Sequence, residues 1–315
     1  MRLLLIGCTG FVGRELVPQL LKKGHHLTLV SRKSTQQLSK DLPTDCLAKV
    51  IGLNPANLQH WQKEELLTAL SKADGVINFA GEPIAEKRWS KRHCEELQFS
   101  RINTTKGLVN AMSHLKRPPK VFINGSAIGF YGTSLKDKFN ETSKSGDDFL
   151  AILCKQWESA ALQKPRSTRL IIFRIGIVLG ANGGALGKML PIFKAGLGGP
   201  IGDGKQWMSW IHRNDLCQMI EQALTDQSWS GAINAVAPEP ISMRDFATCL
   251  GKSIGKGSLF QVPGAILKLL LGDGARVILE GQQVESIKLH RLGFQFKYSR
   301  LNEALAEINH KQNRL

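Results

Sequence analysis

The stretch RLLLIGCTGFVGRELVPQLLKKG, residues 2–24, constrains this chain more than any other. Its apolar start, RLLLIG, reads as a buried strand. Glycines follow at 7, 10 and 13, and an amphipathic helical pattern begins at once. That helix carries Lys22 and Lys23 in its last turn and stops at Gly24. Pro18 lies inside it and should kink it or remove one backbone hydrogen bond. A strand, a glycine turn and a helix in this order let backbone approach a pyrophosphate, and the helix N-terminus offers free N–H groups to its charge. The loop predicts dinucleotide binding through Gly7, Thr9, Gly10, Phe11, Val12 and Gly13.

The same alternation continues. HLTLVS reads as a second strand, AKVIGL as a weak third, DGVINFAG as a fourth, KVFINGSA as a fifth and RLIIFRIG as a sixth. Long helical patterns at 87–113 and 147–163 separate some of them. This implies an α/β chain with a Rossmann-type, doubly wound parallel sheet. Beyond residue 180 the texture turns glycine-rich, then gives one more strand, INAVA, the helix SMRDFATCLGKSIG and a mostly helical tail over 262–309. We expect a cofactor-binding core over 1–180 and, over 181–315, a substrate-side cap, the last core strand and a helical C-terminal region. No low-complexity linker divides them, so they should form one compact unit.

The end of the second strand chooses the cofactor. An NAD site places an acid there for the ribose hydroxyls; an NADP site places arginine for the 2′-phosphate. The chain reads VSRKS, and the first acid after it is Asp41. Arg32 is the natural phosphate partner, with Ser31 beside it and Lys33 in support. The expected cofactor is NADP(H).

Lysine and arginine outnumber aspartate and glutamate by 42 to 26, a net charge of +16. Either a nucleic acid or acidic membrane surface is the partner, or the charge is a scattered basic surface around an anionic-cofactor site. The basic residues come in pairs such as KK and KR, and no nucleic-acid module is visible, which favours the second reading and no specific nucleic-acid partner. Six cysteines without a CxxC exclude a disulfide or zinc framework, so no metal is expected and a reduced, cytoplasmic compartment is. The apolar start runs straight into the glycine motif and does not read as a signal peptide. GAILKLLLG is broken by Lys268 and too short to span a bilayer, so no transmembrane segment is expected.

GCTGFVG, NFAGEPIAEKRW, SRINTT, GSAIGFYG, DDFLAILCKQWE and GGPIGDGKQWMSWIHRNDL together resemble the atypical extended short-chain dehydrogenases often labelled "epimerase family". The likeness extends to VPGAILKLLLG and EGQQV in the tail. Members often carry a small C-terminal domain of unknown function, and some are described as cell-division inhibitors. The resemblance implies that Asn78, Phe79, Ala80 and Gly81 line the adenosine-to-ribose stretch and that Glu82 faces the nicotinamide end. It implies that Arg101 reaches polar groups across the cleft, and that Gly176 and Ile177 pass the nicotinamide. It puts His212 and Asp215 near the substrate cleft, and the glycine-rich loop with Lys188 and Trp207 reads as substrate-side as well. Structural readings stand beside two of these, a packed histidine for His212 and an N-cap for Asp215.

Relatives in the wider superfamily pair a tyrosine with a lysine four residues on, the lysine lowering a phenol pKa that is otherwise about 10. The family frame puts that pair at Leu150 and Cys154. Lys155 is one residue off, and a helical step of about 100° turns it to the polar side with Asp148 and Ser159. The only tyrosines are Tyr131 and Tyr298, and neither has a lysine four residues later. Tyr131 and Glu82 are the candidate acids, and Ser126 matches or lies one residue from the superfamily's hydroxyl donor. Two functions follow: an NADP-dependent oxidoreductase or epimerase of unknown small-molecule substrate with a rearranged acid–base set, or a nucleotide-bound regulatory or scaffold protein linked to cell or plastid division.

Overall fold

The computed structural model describes residues 1–39, 42 and 49–312; Asp41 and Cys46 lie outside the described residues. The apolar runs form β1 (Arg2–Ile6), β2 (His26–Ser31), β3 (Val50–Gly52), β4 (Gly75–Asn78) and β5 (Val121–Ala127), joined by the strands Arg169–Ile175 and Gly231–Ala235. They make one seven-stranded sheet. From one edge the order is Gly231–Ala235, Arg169–Ile175, β5, β4, β1, β2, β3, and every pairing is parallel. β1 has β2 on one side and β4 on the other, so strand order reverses there and a crevice opens at the carboxyl ends. The register aligns Ile6, Asn78 and Asn124 across three adjacent strands.

Alternation in β1 divides the core. Leu3 and Leu5 pack on one face with Leu16 and Leu20 of the Gly13–Lys22 helix and with Leu216, Ile220 and Leu224 of the Arg213–Thr225 helix. Leu4 and Ile6 pack on the other with Leu66, Leu70, Leu108 and Met112. The strands Arg169–Ile175 and β5 are buried on both faces, which explains the apolar run LIIF at the centre of the first and VFI at the start of the second. A further cluster gathers Leu186, Leu190, Trp210, Phe246, Leu250 and Leu305 from the later chain.

The two long helices begin where their caps dictate. Ser90 accepts from the His93 N–H at 3.2 Å and opens Lys91–Ser113. Asp148 accepts from the Ala151 N–H at 2.9 Å and opens Phe149–Leu162. The first helix ends before Gly24, whose φ of +76° suits glycine. No described helix is long and apolar enough to cross a membrane. The described cysteines Cys8, Cys94, Cys154, Cys217 and Cys249 are free thiols, and no metal-binding cluster occurs among the described residues.

Candidate functional site

A cleft of about 800 Å³ opens at the carboxyl ends of β1, β2 and β4. Gly7, Thr9, Gly10, Ser31, Arg32, Phe79, Ala80 and Gly81 line it. The three loop glycines do different work. A Cβ on Gly7 would lie 2.3 Å from the Ala80 nitrogen, and Gly7 has φ +72°. A Cβ on Gly13 would meet the Cys8 carbonyl. Those two let backbones pack. Gly10 has nothing within 4 Å of where a Cβ would stand, so its bare backbone faces open cleft. The helix behind it starts at Gly13 with no side-chain cap from Val12, leaving its N-terminal dipole uncapped by side chains. The Phe11 and Val12 side chains turn away. Phe11 packs against Gly183, Gly184 and the Arg213 guanidinium, and Val12 packs on the core. Only the backbone of these two residues is left to meet a ligand in the glycine loop.

At the end of β2, the Ser31 hydroxyl accepts from the Lys33 N–H at 3.1 Å. The Arg32 guanidinium is two-thirds exposed and reaches Glu82 at 3.4 Å. Lys87 reaches the other Glu82 oxygen at 3.0 Å. Partial burial of Glu82 acts to raise its pKa, but the Lys87 and Arg32 partners outweigh it and hold the carboxyl below its ordinary value. Glu82 is therefore an anion at neutral pH and a poor proton donor. It stands opposite Arg32, which corrects the expectation that it faces the nicotinamide end.

The Glu82 loop rests on the Lys91–Ser113 helix. Glu82 N–H donates to Ser100 Oγ at 2.9 Å, and Arg101 Nη2 donates to the Glu82 carbonyl at 3.0 Å. A Cβ on Gly81 would stand 2.9 Å from the Arg101 guanidinium carbon, so the half-buried arginine supports this loop from beneath instead of crossing the cleft. Asn78 is fully buried and also does not line the cleft. It donates to Thr105 at 3.0 Å and Asn124 at 2.8 Å and accepts from the Ala80 N–H, fixing where the Phe79–Gly81 backbone turns.

Beyond β5 lies a second polar network. Ser126 Oγ donates to Glu158 at 2.7 Å. Arg174 donates to both Glu158 oxygens at 2.8 Å and to the Tyr131 hydroxyl at 3.0 Å. Tyr131 in turn donates to Asn234 at 2.7 Å. The Arg174 guanidinium lies 3.5 Å from the centre of the Phe130 ring. Every member is buried: Tyr131 is only 3% exposed. Burial raises the Tyr131 pKa, opposed by Arg174. Both Tyr131 and Ser126 are thus committed to the core, and the structure corrects them as free catalytic groups. Cys154 meets the Ala127 backbone and the Ser126 hydroxyl; burial pushes its thiol up to about 11, so it stays protonated. Leu150 packs over Gly129. Lys155 lies one helical step round from Cys154, exposed in an outer groove with Lys106 and Gln163.

The substrate-side expectations divide. Lys188 and Trp207 are tethers, to the Ala85 carbonyl at 3.0 Å and the Leu135 carbonyl at 3.0 Å. His212 caps the Arg213–Thr225 helix through Asn214 N–H and contacts Glu307 at 3.0 Å. Asp215 is fully buried and accepts from the Lys297 and Tyr298 N–H groups. These two hold the C-terminal segment, the packed reading for His212; Asp215 secures a loop instead of capping its helix. Gly176 is wedged against the Ser209 carbonyl, and the Ile177 N–H bonds it, so both join the sheet to the Trp210–His212 strand.

The sequence pattern of the NAD dependent epimerase/dehydratase family matches residues 3–235. The chain belongs to that family. A domain of unknown function, DUF1731, matches residues 262–308. The epimerase family protein SDR39U1 homolog, chloroplastic, of Arabidopsis thaliana is 39% identical over 96% of this chain and 85% of its own length. The Homo sapiens epimerase family protein SDR39U1 is 36% identical over 98% of this chain and 99% of its own. The crystal structure of human SDR39U1 (isoform 2) with NADPH superposes with a TM-score of 0.87, at 35% identity and with both chains fully covered. Within this family member, sequence reasoning missed Glu158, Asn124, Asn234 and Arg174. A signal existed: Arg174 and three strand asparagines sit inside otherwise apolar runs, where burial demands partners.

Proposed function

We propose that this chain binds NADP(H) in the cleft between β1, β2 and β4 and acts on a small-molecule substrate as an oxidoreductase or epimerase without a Tyr-x-x-x-Lys pair. The observation that carries the reading is Gly10, whose bare backbone faces open cleft at an uncapped helix N-terminus. Gly7, Thr9 and Gly10 would take the pyrophosphate, Phe79, Ala80 and Gly81 the adenosine side, and Ser31 and Arg32 the 2′-phosphate. The NADPH in the human relative supports this choice. When bound, the cofactor supplies a hydride at its nicotinamide. In this reading residues 1–180 hold the cofactor, 181–315 close the substrate side, and the protein works in the cytoplasm without a specific nucleic-acid partner.

The test is Gly10→Ala. Its backbone needs no positive φ and its Cβ meets no protein atom, so the fold should be kept. The new methyl would stand in the phosphate path, and NADPH should bind about tenfold more weakly or worse. Unchanged binding would refute the assignment.

A second reading, an NADP-bound regulatory protein, is favoured by one observation. Tyr131 and Ser126 are locked in a buried network and Glu82 is held ionised, so each candidate proton donor is occupied. Single-turnover oxidation of bound NADPH by carbonyl compounds, and single-turnover reduction of bound NADP+ by sugar-nucleotide alcohols, separate the two. Substrate-dependent hydride transfer in either direction supports the enzyme; none across both panels supports the regulator.

A further inference from the structure

The Gly264–Leu271 helix buries none of its residues, although its sequence is GAILKLLL. Leu269 is 74% exposed, and Ile266 and Leu270 are exposed beside it. The apolar surface continues upstream. Leu259 is 87% exposed and Phe260 is exposed next to it. The Phe260 N–H bonds the Gly198 carbonyl, which brings exposed Leu197 alongside. The helix is not loosely attached. Arg88 donates to the Leu269 carbonyl at 2.6 Å, Trp89 N–H to the Leu271 carbonyl at 3.1 Å, and the Trp89 ring packs on Gly274. The fold therefore holds long aliphatic side chains outward on a fixed support, where water contact is unfavourable.

The chain segments that form this patch carry charge of one sign. Residues 181–202 and 246–272 contain no aspartate or glutamate; they carry Lys188, Lys194, Lys252, Lys256 and Lys268, all exposed. Asp203 and Asp273 mark where acids resume. A second copy of this face would set lysine against lysine, which disfavours self-pairing. An anionic bilayer surface satisfies both halves: its acyl boundary takes the leucines and Phe260, and its phosphates take the lysines. Lys268, the single polar side chain of the helix, can lay its stem along the apolar face and lift its ammonium to the headgroups.

We propose that the face formed by residues 192–197, 259–260 and 264–271 docks this protein peripherally on anionic phospholipid membranes. This use of the positive charge is separate from the cofactor cleft. The probe is flotation with vesicles of phosphatidylglycerol mixed with phosphatidylcholine, against vesicles of phosphatidylcholine alone. The wild-type chain should float with the anionic vesicles, about tenfold less with neutral ones, and progressively less as salt rises. Leu269→Glu with Leu270→Glu changes two exposed side chains, so circular dichroism and the melting temperature should stay as in wild type while flotation falls about tenfold or more. Lys194→Glu with Lys256→Glu should lower it on the anionic vesicles alone. No flotation of the wild type overturns the proposal, as does flotation that both double variants retain. A concentration-dependent dimer abolished by the leucine variant, without vesicle binding, would assign the face to a second copy and overturn it as well.

Discussion

Arg32 and Glu82 face each other across the cofactor cleft, with the guanidinium Nη2 3.4 Å from the carboxylate Oε2. An incoming 2′-phosphate would compete with Glu82 for Arg32. The pair is largely solvent-exposed on the arginine side, and exposed pairs contribute under about 1 kcal/mol. Glu82→Gln should therefore tighten NADPH by up to about fivefold and leave NADH nearly unchanged, read by fluorescence titration. Weaker NADPH binding in this variant would mean that the carboxylate helps the cofactor instead of opposing it.

The Glu158–Arg174 pair is a structural charge pair inside the core, bidentate at 2.8 Å and closed off by Ser126 and Tyr131. Arg174→Met strands a buried carboxylate and should cost about 3–5 kcal/mol in urea unfolding. Adding Glu158→Met removes that charge and should recover at least half of the loss. Equal instability of the single and double variants would show that packing of Arg174 on Phe130, not charge, is what matters.

His212 gives the fold an acid sensitivity. Burial lowers its pKa from 6.5 to about 4, although the Glu307 carboxylate acts against that fall. Between these two values the unfolded chain binds more protons than the folded one, so stability drops as pH falls through the window. The loss would approach about 3 kcal/mol near the lower end. His212→Asn keeps a helix cap but does not titrate. Its urea midpoint should change less than that of wild type between pH 7 and pH 5; parallel profiles would remove His212 as the source.

Lys155 is the nearest lysine to the family's missing one, yet it is exposed in a groove with Lys106, one helical step round from buried Cys154. Lys155→Ala should leave NADPH affinity and any turnover within about twofold. A hundredfold loss of turnover would overturn the orientation of this helix.

Much of the fold was legible because its strands are apolar runs and its helices carry local signals. β2 matches HLTLVS residue for residue, and Gly24 ends the first helix as its position predicts. The helical face of Phe149–Leu162 was also readable, since periodicity alone turns Lys155 outward. The site was legible less evenly. Gly7, Gly10, Gly13 and Arg32 announce themselves by residue type and by place in a strand–turn–helix unit. Glu82 and Tyr131 did not: the partners that decide their chemistry, Lys87 and Arg32 for one, Arg174 and Asn234 for the other, come from elements that only tertiary packing brings together. Asp215 was misplaced for the same reason, because its partners lie 82 and 83 residues downstream.

The most direct test is a fluorescence titration of the wild-type protein and Arg32→Glu with NADPH and with NADH. Wild type should prefer NADPH, and the variant should lose about tenfold to a hundredfold of its NADPH affinity while its NADH affinity barely changes. Equal losses for both cofactors, or no binding of either by the wild type, would contradict the assignment of this cleft to NADP(H).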